Sequence, residues 1–442
     1  MNILKTIAGA VTTALIMTAA SGCCKNNLDE PVNYMNRRVL LFYECAFNDI
    51  GSYMTTNMED PDKGLPAGYI PSKSGDVLLI YSRTSKGTYD YTPVKSYLRR
   101  IYKTRKGKMV SDTIKEFDEE TIAASPATLK NVLTLVKDEF PAKGYGMVFS
   151  SHGSGWLPAG YYYSPSKFEA DHKNELSAQE ESIAAQSIEY PRLPVPEGDL
   201  ADTDPFYGKM RSLGQDFIKG SYYGHEMTIS EFADAIPYHL DYLLFDMCFT
   251  GGVEVAYGLK DKADYLGLSP AEVIGEGMFD YTKISAFLLG RETPDLEGLF
   301  QNAFELYDNQ KGEYRSATVN LVRTDGLDNL ASVCSRLFNE YADTLSNAPT
   351  NQIQGYFRDG RHYYYDLEDT FRKCASSQED LKSLSEAIDR CVVYRNATPT
   401  FLNRFDITDY SGFSTYLPCA GTPLLDLYYK KEPWNKATGL VK

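Results

Sequence analysis

The sequence predicts an α/β fold: a mostly parallel sheet of about six strands with helices on both faces, followed by a C-terminal helical and irregular subdomain. Three observations carry this reading. Short continuous apolar runs recur along the chain, as in strands buried on both faces. Stretches with helical apolar spacing lie between them, as crossover connections require. Beyond Pro349 the alternation gives way to tyrosine-rich segments such as HYYYDL and DYSGFSTYLP.

In chain order, the first element is an address rather than a fold. Lys5 supplies a positive start, Ile7 to Ala20 an apolar stretch, and Ala20-Ser21-Gly22-Cys23 places small residues before a cysteine. That pattern is similar to a bacterial lipobox, so residues 1–22 read as a lipoprotein signal peptide, Cys23 as the lipidated first residue of the mature chain, and 23–37 as a tether. No later segment approaches the length of a membrane span. The expected location is the bacterial cell envelope, with the body of the chain anchored to a membrane through its N-terminal lipid. Cys24, Cys45, Cys248, Cys334, Cys374, Cys391 and Cys419 remain, and their spacings match no metal or disulfide pattern, so most read as small buried apolar residues.

Strands follow at Arg38 to Tyr43 (RVLLFY), Asp76 to Tyr81 (DVLLIY), Gly146 to Ser150 (GMVFS) and Tyr242 to Phe245 (YLLF). Between the second and third, Leu129, Val132, Leu133 and Val136 fall at i, i+3, i+4 and i+7, the stripe of a crossover helix. Gly252 to Lys260 reads as helix, Tyr265 to Leu268 and Thr318 to Val322 as strands, and Leu327 to Tyr341 as helix. These segments define a main domain over 38–348 and a C-terminal subdomain over 349–442. The stretch 157–227 interrupts the rhythm with prolines, glycines and charges. It reads as a long excursion from the sheet, and such loops in compact domains tend to be functional.

Composition removes one class of partner. At 43% hydrophobic residues the chain can bury a large core, but its net charge of −15 and pI near 4.9 repel phosphate backbones, and no basic cluster reverses this locally. Nucleic acid is therefore not expected as a partner.

Chemistry gathers at two strand ends. Open parallel sheets collect ligands and reacting groups where loops leave the carboxyl ends of strands. The third strand runs into FSSHGSGW and puts His152 there; the fourth runs into LLFDMCFTGG and puts Asp246 and Cys248 at the same edge. A thiol becomes a good nucleophile only where a base or cation favours thiolate, and a histidine can serve that purpose and then protonate a leaving amine. Gly153, Gly155, Gly251 and Gly252 let backbone N–H groups approach a developing oxyanion, for which Gly153 and Cys248 are the expected donors. The alternative is a core cysteine beside a structurally satisfied histidine.

The run LLFDMCFTGGVEVAYGLKDKADYLGLSPAEVIGEGMFDY, together with VFSSHGSGW and MTISEFADAIP, resembles the clostripain family of cysteine endopeptidases. The resemblance implies a caspase-like α/β fold, His152 as the family histidine, Cys248 as the nucleophile and Asp246 as an acidic residue near the substrate pocket. Glu276 stands where the family has an aspartate that contacts a basic P1 side chain. Asp-Met-Cys replaces the usual Asp-Ala-Cys, His-Gly-Ser-Gly-Trp replaces His-Gly-Gly-Gly-Trp, and Met278 replaces a tryptophan; none of these removes a reacting group.

The expected function is a lipid-anchored cysteine endopeptidase that cleaves protein or peptide substrates after arginine or lysine. The alternative is a non-catalytic cell-surface binding lipoprotein on the same scaffold, since fold does not fix function. The excursion carries Lys167, Lys173, Arg192, Lys209, Arg211 and Lys219, preferred residues for such an enzyme, so self-processing is expected there. Glu197, Asp199, Asp202, Asp204 and Asp216 offer oxygen ligands, and the resemblance implies an association with calcium. Their spacing matches no EF-hand, and a solvated acidic loop is the other reading. His172, His225, His239 and His362 show no metal-binding spacing, so no metal site and no other cofactor are expected.

Overall fold

The computed structural model describes residues 36–87, 90, 92–162, 165–177, 213–217, 224–358 and 363–442. Its strands include β1 (Arg38–Ala46), β2 (Val77–Thr84), β3 (Ser96–Lys103), β4 (Met109–Phe117), β5 (Gly144–Ser150), β6 (Leu213–Phe217), β7 (Gly224–Met227), β8 (Leu240–Asp246), β9 (Ala263–Leu268), β10 (Thr318–Arg323), β11 (Tyr365–Asp366) and β12 (Val392–Ala397). Nine of them form one sheet in the order β12-β10-β9-β8-β5-β1-β2-β3-β4. The central five, β2-β1-β5-β8-β9, are mutually parallel. Both margins are antiparallel: β3 and β4 on one side, β10 and β12 on the other.

All six expected strands are present, and the sheet is larger than expected by β3, β4 and β12. The reason is burial. The central strands are covered on both faces and read as continuous apolar runs, whereas β4 is mostly exposed or half-exposed and β3 carries Arg99, Arg100 and Lys103 among its apolar residues. An edge strand with a solvated face alternates, and its sequence does not stand out from loop.

Helices cover both faces. Pro126–Glu139 starts at Ser125, whose side chain accepts from Thr128 N, and buries the expected stripe of Leu129, Val132, Leu133 and Val136. It joins Leu41, Tyr43, Met147 and Phe149 in one apolar cluster. On the opposite face Leu40, Phe42, Val148 and Leu244 meet residues of the helices Ile284–Leu288 and Leu296–Asp308. Residues past 349 add β12 to the sheet and supply Phe371, Leu384, Ile388 and Trp434 to the first cluster.

The C-terminal segment also props the loops at the carboxyl edge. Ser414 N donates to Gly251 O at 3.0 Å and Tyr364 OH donates to Ser154 O at 2.8 Å. Glu254, buried just after the β8 loop, accepts from Tyr429 OH at 2.6 Å and Tyr416 N at 3.0 Å. Trp156 packs against the rings of Tyr416 and Tyr429. Of the excursion, β6 and β7 pair as a small hairpin, and Asp216 on β6 is fully buried in an ion pair with Arg83 at 2.6 Å. That arginine pairing, which makes Asp216 part of the core, sets it apart from any loop ligand set; Glu197, Asp199, Asp202 and Asp204 lie outside the described residues.

Candidate active site

Strand register sets the geometry of the site. Ser150 at the end of β5 pairs with Asp246 at the end of β8. His152 and Cys248 each follow two residues later, so equivalent steps off two adjacent parallel strands bring them to one edge. Both line a single cavity, shared with Asp246, Met247, Glu272, Val273 and, across from them, Tyr53 and Asn57 of the helix Gly51–Glu59.

Each loop is shaped by its backbone. Phe249, directly after the cysteine, adopts a left-handed φ of 54°, uncommon for a large residue and held here by its surroundings. Its N–H donates to Ala271 O at 2.8 Å, Gly251 N donates to Ser269 O at 2.8 Å, and its ring stacks on Tyr364 at 4.3 Å between centroids. Gly155 has φ +61° and passes so close to this turn that a Cβ on it would stand 2.4 Å from Phe249 O. The His152 loop and the Cys248 loop therefore touch through backbone. Gly153 belongs to the same contact, since a Cβ there would lie 2.6 Å from Cys248 O.

His152 is 3% exposed and its Nε2 lies 2.6 Å from Asp49 Oδ1, on the loop leaving β1. The Cys248 thiol, also buried, receives a hydrogen bond from Val273 N at 3.2 Å. Among the described residues no hydrogen bond joins His152 to Cys248. Burial, and next the Glu272 carboxylate, push the thiol well above its ordinary range; the Val273 N–H and the Arg358 guanidinium oppose them. Arg358 is paired with Glu272 at 3.1 Å, both side chains 5% exposed.

Asp246 points into the cavity from the end of β8. It accepts from Met278 N at 2.6 Å and from the Tyr281 hydroxyl. Burial raises its carboxyl above the usual range, against the lowering effect of Tyr281 and the Met278 N–H. Gly277, at φ +94°, brings the backbone against this carboxylate, where a Cβ would stand 2.6 Å from Oδ2. Glu276 is placed differently from the expectation. Its neighbours Gly275 and Gly277 line the cavity, but Glu276 is exposed, is not among the lining residues, and meets Asn57 Nδ2 through its backbone oxygen at 3.1 Å. The turn at Gly277 aims the backbone inward at this point and leaves the Glu276 side chain at the surface.

Asp49, Glu272 and Arg358 were not singled out from sequence. Asp49 carried a usable signal, an acidic residue just past the carboxyl end of an apolar strand; the Glu272–Arg358 pair joins distant segments and carried none. Cys45, Cys334, Cys374 and Cys391 are buried and free, and Cys419 is free and partly exposed. Cys23 lies outside the described residues. Among the described residues no helix is long and apolar enough to cross a membrane.

Comparison places this geometry among known proteins. The family model of the clostripain family matches residues 48–181 and 197–417. The chain is similar in fold to an inactive zymogen C11 protease from Parabacteroides distasonis, with TM-score 0.67, 22% identity, and coverage of 92% of this chain and 98% of that one. A secreted C11 cysteine protease from Bacteroides thetaiotaomicron superposes with TM-score 0.67 at 21% identity, covering 91% of this chain and 99% of that one. The same type of protease in complex with an irreversible peptide inhibitor gives TM-score 0.66 at 21% identity, covering 92% and 99%. No curated protein matches.

Proposed function

Because the chain belongs to the clostripain family and is a cysteine peptidase, we propose that it is a lipid-anchored endopeptidase that cleaves after arginine or lysine through a dyad of Cys248 and His152. The observation that carries this reading is the single cavity that holds His152, Cys248 and the buried Asp246 together.

In the proposed mechanism a basic P1 side chain enters beside Asp246. A buried carboxyl favours a cationic partner, and an uncharged P1 group would leave it without one at a cost of about 1–3 kcal/mol. The same cation offsets the carboxylates that hold the Cys248 thiol protonated, so substrate entry favours thiolate. His152, oriented by Asp49, takes the thiol proton as Sγ attacks the scissile carbonyl. The backbone N–H groups of Gly153 and Cys248 stabilise the oxyanion. Collapse of the tetrahedral adduct breaks the C–N bond, His152 protonates the leaving amine, and water then hydrolyses the thioester. Glu276, at the surface, contributes at the rim through longer-range attraction.

The experiment is turnover of fluorogenic peptides with arginine, lysine or an uncharged residue at P1, beside Cys248→Ala. Cleavage of the basic peptides by wild type alone supports the reading; a wild type as inert as Cys248→Ala supports the non-catalytic binding alternative. Lipid attachment at Cys23 is tested by the mass of the N-terminal peptide from wild type and Cys23→Ala. Self-processing between Lys167 and Arg211 is tested by intact mass after incubation, with two fragments expected from wild type only. Calcium association is tested by adding a chelator to the peptide assay, where lost turnover supports it.

A further inference from the structure

A carboxyl group taken out of water loses solvation that hydrogen bonds or counter-charge must replace, so a buried acid without partners calls for an explanation. Glu44 on β1 is such a group: it is 1% exposed, and neither carboxyl oxygen has a hydrogen-bond partner among the described residues. Its place in the sheet is informative. Glu44 pairs in register with Ser150, and Ser150 with Asp246, so the three form one row across β1, β5 and β8. Lateral neighbours in parallel strands project from the same face. Two residues earlier the same row is Phe42, Val148 and Leu244, all apolar. Asp246, at one end of this polar row, lines the cavity; Ser150 and Glu44 continue the row across β5 and β1 and do not line it.

Two members of the row, Ser150 and Asp246, are linked through Tyr281. The Tyr281 hydroxyl donates to Asp246 and lies 3.3 Å from Ser150 Oγ. The helix Gly51–Glu59, which follows β1, carries Tyr53, Met54 and Asn57 into the cavity wall. The charged and titratable groups facing Glu44 are Asp246 on β8, Arg99 on β3, Glu59 at the end of that helix, and Tyr281. Arg99 is engaged with Glu59 at 2.7 Å. Burial, then Asp246, raise the Glu44 carboxyl well above the carboxylate range, with Arg99 opposing and Glu59 adding to the rise.

We propose that Glu44 is a specificity-determining residue of this peptidase, the second carboxyl group of the row that reaches the P1 cavity at Asp246, held in reserve until a cationic side chain enters. This rests on the basic-P1 reading above. Burial and the neighbouring Asp246 favour a protonated Glu44. Entry of a guanidinium or ammonium favours the carboxylate, and the proton leaves to buffer; no covalent bond changes. An uncharged P1 group brings no such gain. Because binding then releases a proton, affinity for a P1 cation rises with pH between the bound-state and free-state titrations of Glu44.

The test compares peptides with arginine or its uncharged isostere citrulline at P1. In the Cys248→Ala background, calorimetry in two buffers of different ionisation enthalpy, from about pH 5 to about pH 8, counts protons released on binding. Release is expected with arginine and absent with citrulline, and it is expected to shrink in Cys248→Ala/Glu44→Gln. In the active enzyme Glu44→Gln is expected to narrow the arginine-to-citrulline ratio of kcat/KM about tenfold, mainly through KM. Glu44→Leu, which removes the carboxyl, serves as a second variant should glutamine impair folding. An unchanged ratio, or undiminished proton release in the variants, overturns the role of Glu44 while leaving the basic-P1 reading intact. A wild type that does not distinguish arginine from citrulline overturns both.

Discussion

Asp49 Oδ1 and His152 Nε2 lie 2.6 Å apart although 103 residues separate them in the chain. The loop leaving β1 therefore holds His152 on the loop leaving β5, and in the proposed mechanism Asp49 is a positioning residue. Asp49→Asn keeps the shape of the contact but alters which ring nitrogen carries the proton. We expect kcat to fall by about tenfold to a thousandfold with KM little changed. Steady-state kinetics on a basic peptide decides this: a loss confined to KM would remove the orienting role.

Thiol chemistry offers a second prediction. Burial and the Glu272 carboxylate raise the Cys248 thiol well above its ordinary range. Removing that anion in Glu272→Gln favours thiolate, so the pH midpoint for iodoacetamide alkylation of Cys248 should move down and the rate at neutral pH should rise. Mass-detected alkylation time courses at several pH values give the answer, and an upward movement would contradict it.

Specificity should follow burial. Asp246 is buried in the cavity and Glu276 is exposed beside it. Asp246→Asn should lower kcat/KM for arginine peptides about tenfold or more beyond its effect on uncharged ones. Glu276→Ala should have a much smaller selective effect, because an exposed charge is screened by water and salt. Kinetics in which the Glu276 variant loses more selectivity would place the P1 contact at the rim.

The contact between the two catalytic loops should be intolerant of added bulk. Gly155→Ala combines an unfavourable φ of +61° with a Cβ 2.4 Å from Phe249 O. A loss of about 1–3 kcal/mol in stability and a marked fall in kcat are expected. Urea unfolding and turnover measured together check it; full activity at wild-type stability would show that the loops can separate freely.

A half-buried acid beside Glu254 sets a pH dependence. Burial, and next the Glu254 carboxylate, raise the Glu432 carboxyl to about 8, with Lys436 opposing. An acid whose folded pKa is raised favours folding while protonated, so its contribution is present below the ordinary glutamate range and is lost as pH climbs towards about 8. Glu432→Gln should gain stability relative to wild type across that interval, by up to a few kcal/mol at the upper end. Thermal midpoints of both proteins over the range provide the comparison; parallel curves would rule it out.

The residues show why some of this was legible in sequence. His152 and Cys248 follow strands buried on both faces, and such strands announce themselves as unbroken apolar runs with their exits marked. β3, β4 and β12 are solvated on one side or at an edge, so charge dilutes their signal. Glu276 was placed by position in a motif, but its outward direction depends on the φ of Gly277, which no residue pattern displays. Glu44 left a trace, a glutamate inside the apolar run RVLLFYECA, whose meaning needed the register with Ser150 and Asp246. The Glu272–Arg358 pair required the C-terminal segment to be folded back before either side chain had a neighbour.

The bracing of both catalytic loops from beyond residue 363 has a consequence for biosynthesis. Gly251, Ser154 and Glu254 take their partners from Ser414, Tyr364, Tyr416 and Tyr429. A nascent chain emerges with His152 and Cys248 long before those partners leave the ribosome. Until then the Cys248 turn lacks the ring of Tyr364 under Phe249, and the Glu254 carboxylate has no donor from the C-terminal segment. A chain truncated before Tyr364 therefore carries His152 and Cys248 without the contacts that brace their loops.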